Sequence, residues 1–271
     1  MTAALQPPPL QRARGEGRVT TQLVDGRTRL ATLYQDGCAR IRLPNTHDRS
    51  LQAVLINTAG GLTGGDHIGW SATAAPGTGL VLTTQACERI YRSTGTDAQI
   101  ITRLAAGPGA RLDWLPQETI LFEDARLDRR LEVDLAPDAS FCAVEAVLLG
   151  REAMGESARG ARLRDNWRIR REGRLIHAEA TALTAEPEER DGLSLLDGAL
   201  GFATVLYIGA DAARKLDPVR ARLSGRSGAS LVGDRLVVRA LAESGLALRR
   251  IIGPIVALLS SAGSLPRLWH L

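Results

Sequence analysis

Cysteine is scarce in this 271-residue sequence: Cys38, Cys87 and Cys142 make an odd, widely spaced set with no CxxC pair. That excludes a disulfide framework and a zinc ribbon, leaves packing as the simplest role for each thiol, and points to a reducing, cytoplasmic compartment. Histidine is nearly as rare. His47, His67, His177 and His270 form no HxH, HExxH or Cys–His grouping, so no tight metal cage is encoded locally, although carboxylate-rich transit sites leave no spacing signature. Lysine is almost absent, with Lys215 alone among 34 basic residues, and aromatics are 4% of the chain. The formal charge of +4 is therefore scattered arginine without interleaved stacking aromatics, which argues against a nucleic-acid surface and suits carboxylate pairing across protein contacts. Long apolar runs are missing too. The longest, Ile251 to Leu259, is interrupted by Gly253 and Pro254 and falls far short of the ~20 residues of a membrane span. Residues 1–17 contain prolines and arginines where a signal peptide needs an apolar region, so residues 1–16 read as a Pro/Arg-rich tail before one domain over 17–271.

What is present is β-strand character with frequent turns. Val19 to Val24, Asp25-Gly26, Thr28 to Tyr34, Asp36-Gly37 and Ala39 to Leu43 read as a meander, because Asp-Gly supplies the two positive-φ residues of a tight hairpin. Strands are predicted at 51–57, 67–73, 80–84, 98–104, 111–115, 127–135, 141–149, 163–170 and 174–183, separated by local breakers such as Gly107-Pro108-Gly109 and Glu172-Gly173. Helical spacing appears late, at Asp211 to Leu223, broken by Pro218, and at Glu243 to Leu259, with Ser244 as cap and a kink or restart at Pro254. The fold class is all-β with a minor C-terminal helical part. No fixed repeat length stands out, so a regular solenoid is not expected from the sequence.

Four segments carry unusual chemistry. Asn57-Thr58-Ala59-Gly60-Gly61-Leu62-Thr63-Gly64-Gly65-Asp66 is glycine-dense, but Asp66 stands where a phosphate loop needs lysine, so a structural corner is the simpler reading. Thr83-Thr84-Gln85-Ala86-Cys87-Glu88-Arg89-Ile90-Tyr91-Arg92 has a cysteine without a nearby histidine to activate it. The others are Leu115-Pro116-Gln117-Glu118-Thr119-Ile120-Leu121-Phe122 and Leu149-Gly150-Arg151-Glu152-Ala153-Met154-Gly155-Glu156. Glu145, inside the apolar run CAVEAVLLG, is the best single candidate for a buried carboxylate, and such a charge needs an arginine, a metal or water beside it. A carboxylate pair would also suit an all-β hydrolase of the glycosidase type, and that alternative stays open.

Together, in this order and at these separations, the four segments resemble the UreD (UreH) family of urease accessory proteins, and DNWRIRREGRLIHAE and ALRRIIGPIVALL extend the resemblance over about residues 17–271. The resemblance implies no enzyme and no tightly bound cofactor. It implies a mainly β scaffold, an irregular stacked or helical arrangement of sheets, that binds the urease apoprotein and recruits UreF and the GTPase UreG. Nickel would then be in transit through a water-filled passage, for which Asp66, Glu88, Glu118, Glu145 and Glu179 are the candidate lining residues. No nucleic acid or membrane partner is implied.

Overall fold

In the computed structural model, residues 11–46, 49–151, 154–260 and 263–270 are described. The chain opens with a hairpin of β1 (Arg14–Val24) and β2 (Arg27–Gly37), whose Asp25 and Gly26 take φ of 50° and 70° as the Asp-Gly pair requires. After β3 (Ala39–Arg42) it winds. The path runs β4 (Leu51–Asn57), β5 (His67–Ala74), β6 (Gly79–Thr84), β7 (Glu88–Ile90), β8 (Ala98–Ala106), β9 (Arg111–Leu115), β10 (Thr119–Leu121), β11 (Arg126–Leu135), β12 (Ser140–Leu149) and β13 (Arg162–Arg171). A second hairpin follows through β14 (Arg174–Leu183). The remainder is α1 (Pro187–Asp191), β15 (Gly201–Ile208), α2 (Ala212–Arg220), β16 (Arg226–Val232), β17 (Arg235–Ala242) and α3 (Gly245–Leu259).

The winding makes a solenoid with two broad sides and one narrow one. On one broad side β1, β5, β8, β11 and β13 pair in parallel, and on the other β4, β6, β9 and β12 do so. The narrow side is β7, β10 and the last three residues of β12, joined at its start by the Leu62–Ile90 bridge. Equivalent positions recur about every 30 residues: Leu51, Leu80, Leu112 and Phe141 form one inward ladder. The winding nevertheless leaves no period visible in the sequence. The ladder asks only for an apolar side chain, while the corners differ in length and composition, so no residue type recurs at a fixed interval. Leu62, Ile90, Leu121 and Leu149 sit in register, one per turn, so the four unusual segments are successive turns of the same corner.

Two apolar cores result, one inside the solenoid and one between the β12 side and helices α2 and α3. Strand β12, buried on both faces, therefore reads as a continuous apolar run rather than an alternating one. Three sequence expectations shift. The meander ends at β2, because β3 crosses over to pair with β4. Pro218 and Pro254 lie inside α2 and α3 rather than breaking them, with Ser244 capping α3 through Ala247 N–H at 3.2 Å. Strands β15 to β17 extend the β12 side beyond residue 190, a stretch in which the sequence pattern singles out helical segments but no individual strand. Strand pairing starts at Arg14, three residues before the expected domain boundary, and residues 1–10 of the tail lie outside the described part.

Candidate functional site

One ladder on the inner face of the β5 side is apolar in the early turns and polar in the later ones. Ile68 and Ile100 are followed in register by Arg129, Asp165 and Thr181. On the opposite side the inward row through Glu145 continues to Thr204 and Arg239. These two rows face each other across the interior, so the fold brings together charges that are far apart in the chain.

At the centre, the guanidinium of Arg129 donates to Glu145 through Nη1 and to Asp165 Oδ2 through Nη2 at 2.6 Å, and Nη1 also reaches Thr119 Oγ1 at 3.0 Å. Trp114 Nε1 donates to Glu145 Oε1 at 2.8 Å. Arg129, Glu145 and Asp165 are 4%, 6% and 6% exposed, so two carboxylates share one buried guanidinium. Asp165 Oδ1 and Arg129 Nε have no hydrogen-bond partner. Burial, helped by the neighbouring Asp165, outweighs Arg129 and pushes the Glu145 carboxyl up to about 7.

The polar line continues in both directions. Toward the early turns, Thr119 is in register with Glu88, whose Oε1 accepts from Asn57 Nδ2 at 3.0 Å and whose carboxyl burial pushes up to about 7. Toward the later turns, Arg239 bonds Thr204 Oγ1 at 2.6 Å and Glu179 Oε2 at 2.5 Å, and His177 Nε2 lies 3.0 Å from Glu179 Oε1. Burial raises the Glu179 carboxyl, but the bonds from His177 and Arg239 win and hold it below the usual carboxylate range. This end opens into a cavity of about 630 Å³ between β14 and β15–β17, floored by Thr181, Thr204 and Arg239 and walled by Leu183, Leu195 and Phe202. Leu195 is 52% exposed and Leu193, two residues earlier, 88% exposed, so the mouth has an apolar rim.

Of the five predicted lining residues, Glu88, Glu145 and Glu179 lie on this line. The other two do not. Glu118 turns to the helical side, where Arg249 of α3 grips both its oxygens at 2.9 and 2.5 Å; burial pushes its carboxyl up, but those bonds hold it low. Asp66 is spent on backbone: Oδ1 accepts Ala13 N–H and Oδ2 accepts Thr63 N–H, both at 2.8 Å, so it ties the glycine corner to the start of the first strand. Arg129 and Asp165 were missed, yet a signal existed. Arg129 shares the inward phase of Leu127, Leu131 and Val133, and Asp165 that of Leu163, Trp167 and Ile169.

The thiols do not join the site. Burial drives Cys87 up to about 11 and Cys142 well above its ordinary value, and Cys38 is also raised by burial. His67 sits 3.8 Å from Glu16, away from His177, and His47 lies outside the described residues. Among the described residues no three of His, Cys, Asp and Glu gather into a metal-holding group. The Glu145–Asp165 pair is buried with both carboxylates bonded to Arg129, and neither residue lines the cavity.

A β-solenoid with its charged groups sealed along the axis and an apolar-rimmed opening at one end is the class of protein that this fold and interior define. The chain belongs to the UreD urease accessory protein family, whose family model matches residues 13–270, and it takes part in urease maturation. It is 61% identical over 267 residues to a urease accessory protein UreD of Chelativorans sp. (strain BNC1), covering 98% of this chain and 96% of that one. Proteins of the same name from Rhizobium rhizogenes (52% identical, all of both chains) and Agrobacterium fabrum (51%, 99% of this chain and 95% of that one) are similar throughout. The family description is that of an accessory protein. Among the described residues no helix is long and apolar enough to cross a membrane.

Proposed function

We propose that this chain is a non-catalytic cytoplasmic scaffold that binds the urease apoprotein, recruits UreF and UreG, and passes nickel along its polar axis on the way to the urease active site. The observation that carries the reading is the Arg129 cluster: two carboxylates on one guanidinium, one ladder position from Thr181 and Thr204 on the lining of the open cavity. With both acids ionised the cluster has a net negative charge in a low-dielectric interior, which draws a dication. The arginine already compensates half of that charge, so the ion is attracted without being trapped. Nickel here is cargo. Glu88 and Glu145, each pushed up to about 7, exchange a proton for the metal near neutral pH, because a carboxylate must lose its proton to ligate. The apolar rim at Leu193 and Leu195 supports a protein partner at the mouth. Asp66 and Glu118 are left out of the route, since the loop and α3 occupy them.

The test is co-expression with urease, UreF and UreG of a variant carrying Glu88→Gln, Glu145→Gln and Glu179→Gln, followed by nickel per urease active site and recovery of the complex. The expected result is a several-fold fall in nickel with the complex recovered as in wild type. Full loading by the triple variant would sink the transit reading.

A further inference from the structure

The narrow side of the solenoid also has an outer face. Alternation along its short strands turns Glu88, Ile90, Thr119, Leu121, Val147 and Leu149 inward, and leaves Arg89, Ile120 and Leu148 in register pointing out. Helices cover the β12 side, whereas among the described residues no helix or strand covers this one. Its floor is an open groove of about 560 Å³, closed laterally by Tyr91 and Phe122 and by the N-terminus of α3 at Ser244 and Gly245. The aromatic wall is rigid: the two rings meet edge to face at 5.1 Å, and the Arg151 guanidinium lies 4.8 Å above Phe122 while bonding Glu156.

The charge on the rim has one sign. Arg89 and Arg151 line the groove and no carboxylate does among the described residues; Glu156 already pairs with Arg151, so Arg89 carries the free charge. Arg89 is exposed and has no ion-pair or hydrogen-bond partner there. The first turn of α3 contains no acidic residue, and its Ser244 cap takes only the Ala247 and Leu248 N–H groups through Oγ and the carbonyl oxygen. A 15-residue helix thus adds its positive end to the same rim.

Apolar floor, aromatic wall and the free cation of Arg89 beside the α3 N-terminus define one kind of occupant. We propose that this groove docks a protein segment that combines an apolar side chain, seated on Ile120 and Leu148, with a carboxylate held by Arg89 and the α3 N-terminus. The proposal rests on the scaffold reading and adds to it a second contact surface, on the narrow side and distinct from the cavity mouth between β14 and β17. Such an interface has a buried apolar anchor and a charged rim, so its affinity depends on salt.

The test uses the full chain immobilised against purified urease apoprotein, UreF and UreG in turn. Arg89→Glu and Ile120→Asp are compared with wild type and with Arg29→Glu, the same charge reversal at an exposed arginine of β2 that does not line the groove. Arg89 is exposed, so its reversal leaves the fold intact, and thermal unfolding of each variant checks this. The expected result is that both groove variants weaken binding of the same one of the three proteins by at least tenfold. Arg29→Glu should bind it as wild type does, and raised salt should weaken wild type more than Arg89→Glu. A photo-crosslinker at position 120 should then mark a stretch of that protein containing Asp or Glu beside an apolar residue. Equal binding by wild type and both groove variants overturns the proposal while leaving the scaffold reading standing. If wild type retains none of the three, the scaffold reading fails and the groove proposal falls with it.

Discussion

Arg129 holds two carboxylates in a ladder whose earlier positions are Ile68 and Ile100, and the energetics of that exchange are lopsided. Replacing a whole buried ionic cluster by apolar groups is often neutral, whereas removing one member strands the rest. Arg129→Met should therefore lower stability by about 3–5 kcal/mol in denaturant titration. Adding Glu145→Gln and Asp165→Asn should recover much of the loss. A loss under 1 kcal/mol for the single variant would mean that water already solvates the cluster. Glu88 makes the opposite demand on pH. Its folded carboxyl titrates at about 7, above the ordinary glutamate value, so between about pH 5 and 7 the native chain holds a proton that the unfolded chain has lost. Unfolding free energy must fall as pH rises through that window and level off above it. Glu88→Gln should accordingly raise the melting temperature at pH 8 and leave it unchanged at pH 5; an equal shift at both would assign the effect to packing.

At the scale of elements, the glycine corner separates two demands that sequence alone merges. Gly60 has φ of 77° with open space around an added Cβ, so Gly60→Ala tests backbone conformation by itself and should cost about 1 kcal/mol. Gly61, at φ of 143°, would put a Cβ 2.7 Å from the Arg89 carbonyl oxygen and 2.4 Å from the Tyr91 ring, where the next turn stacks. Gly61→Ala should cost clearly more than Gly60→Ala and should loosen the Leu62–Ile90 bridge. Chemical denaturation with hydrogen exchange at Leu62 and Tyr91, whose amides bond the Arg89 and Leu62 carbonyls across the bridge, would measure both. Equal costs would show that the corner yields freely and that close approach is not what selects glycine. The corner was legible as architecture, because four glycines before an aspartate fit no phosphate loop. Asp66 was not legible as its clasp, since one of its two partners, Ala13 N–H, is brought to it only by the docking of β1 onto β5.

The whole molecule was legible only in its local parts. Asp25-Gly26 and Glu172-Gly173 encode their hairpins because positive φ is a property of two adjacent residues. The edge strand β16, RSGASLV, is invisible because its small, mostly exposed residues carry no alternation, and it exists only by pairing with β17. The winding itself is a relation between turns about 30 residues apart, expressed as register and not as composition. That relation makes a last prediction, which concerns where the chain tolerates extra length. The corner at Ser93 to Thr96 is exposed, with Gly95 in open space, and links β7 to β8 outside the ladder. Inserting Gly-Ser after Thr94 should change stability by less than about 0.5 kcal/mol, because lengthening a surface connection costs little closure entropy. A single glycine inserted after Ile120 should be far worse. It turns Leu121 from the interior to the surface and breaks its register with Ile90 and Leu149, and it does so for every later residue of that corner. Soluble yield and unfolding midpoint of the two variants decide the matter: if both fold alike, the narrow side is a passive connection, and the register of its ladder does not hold the turns together.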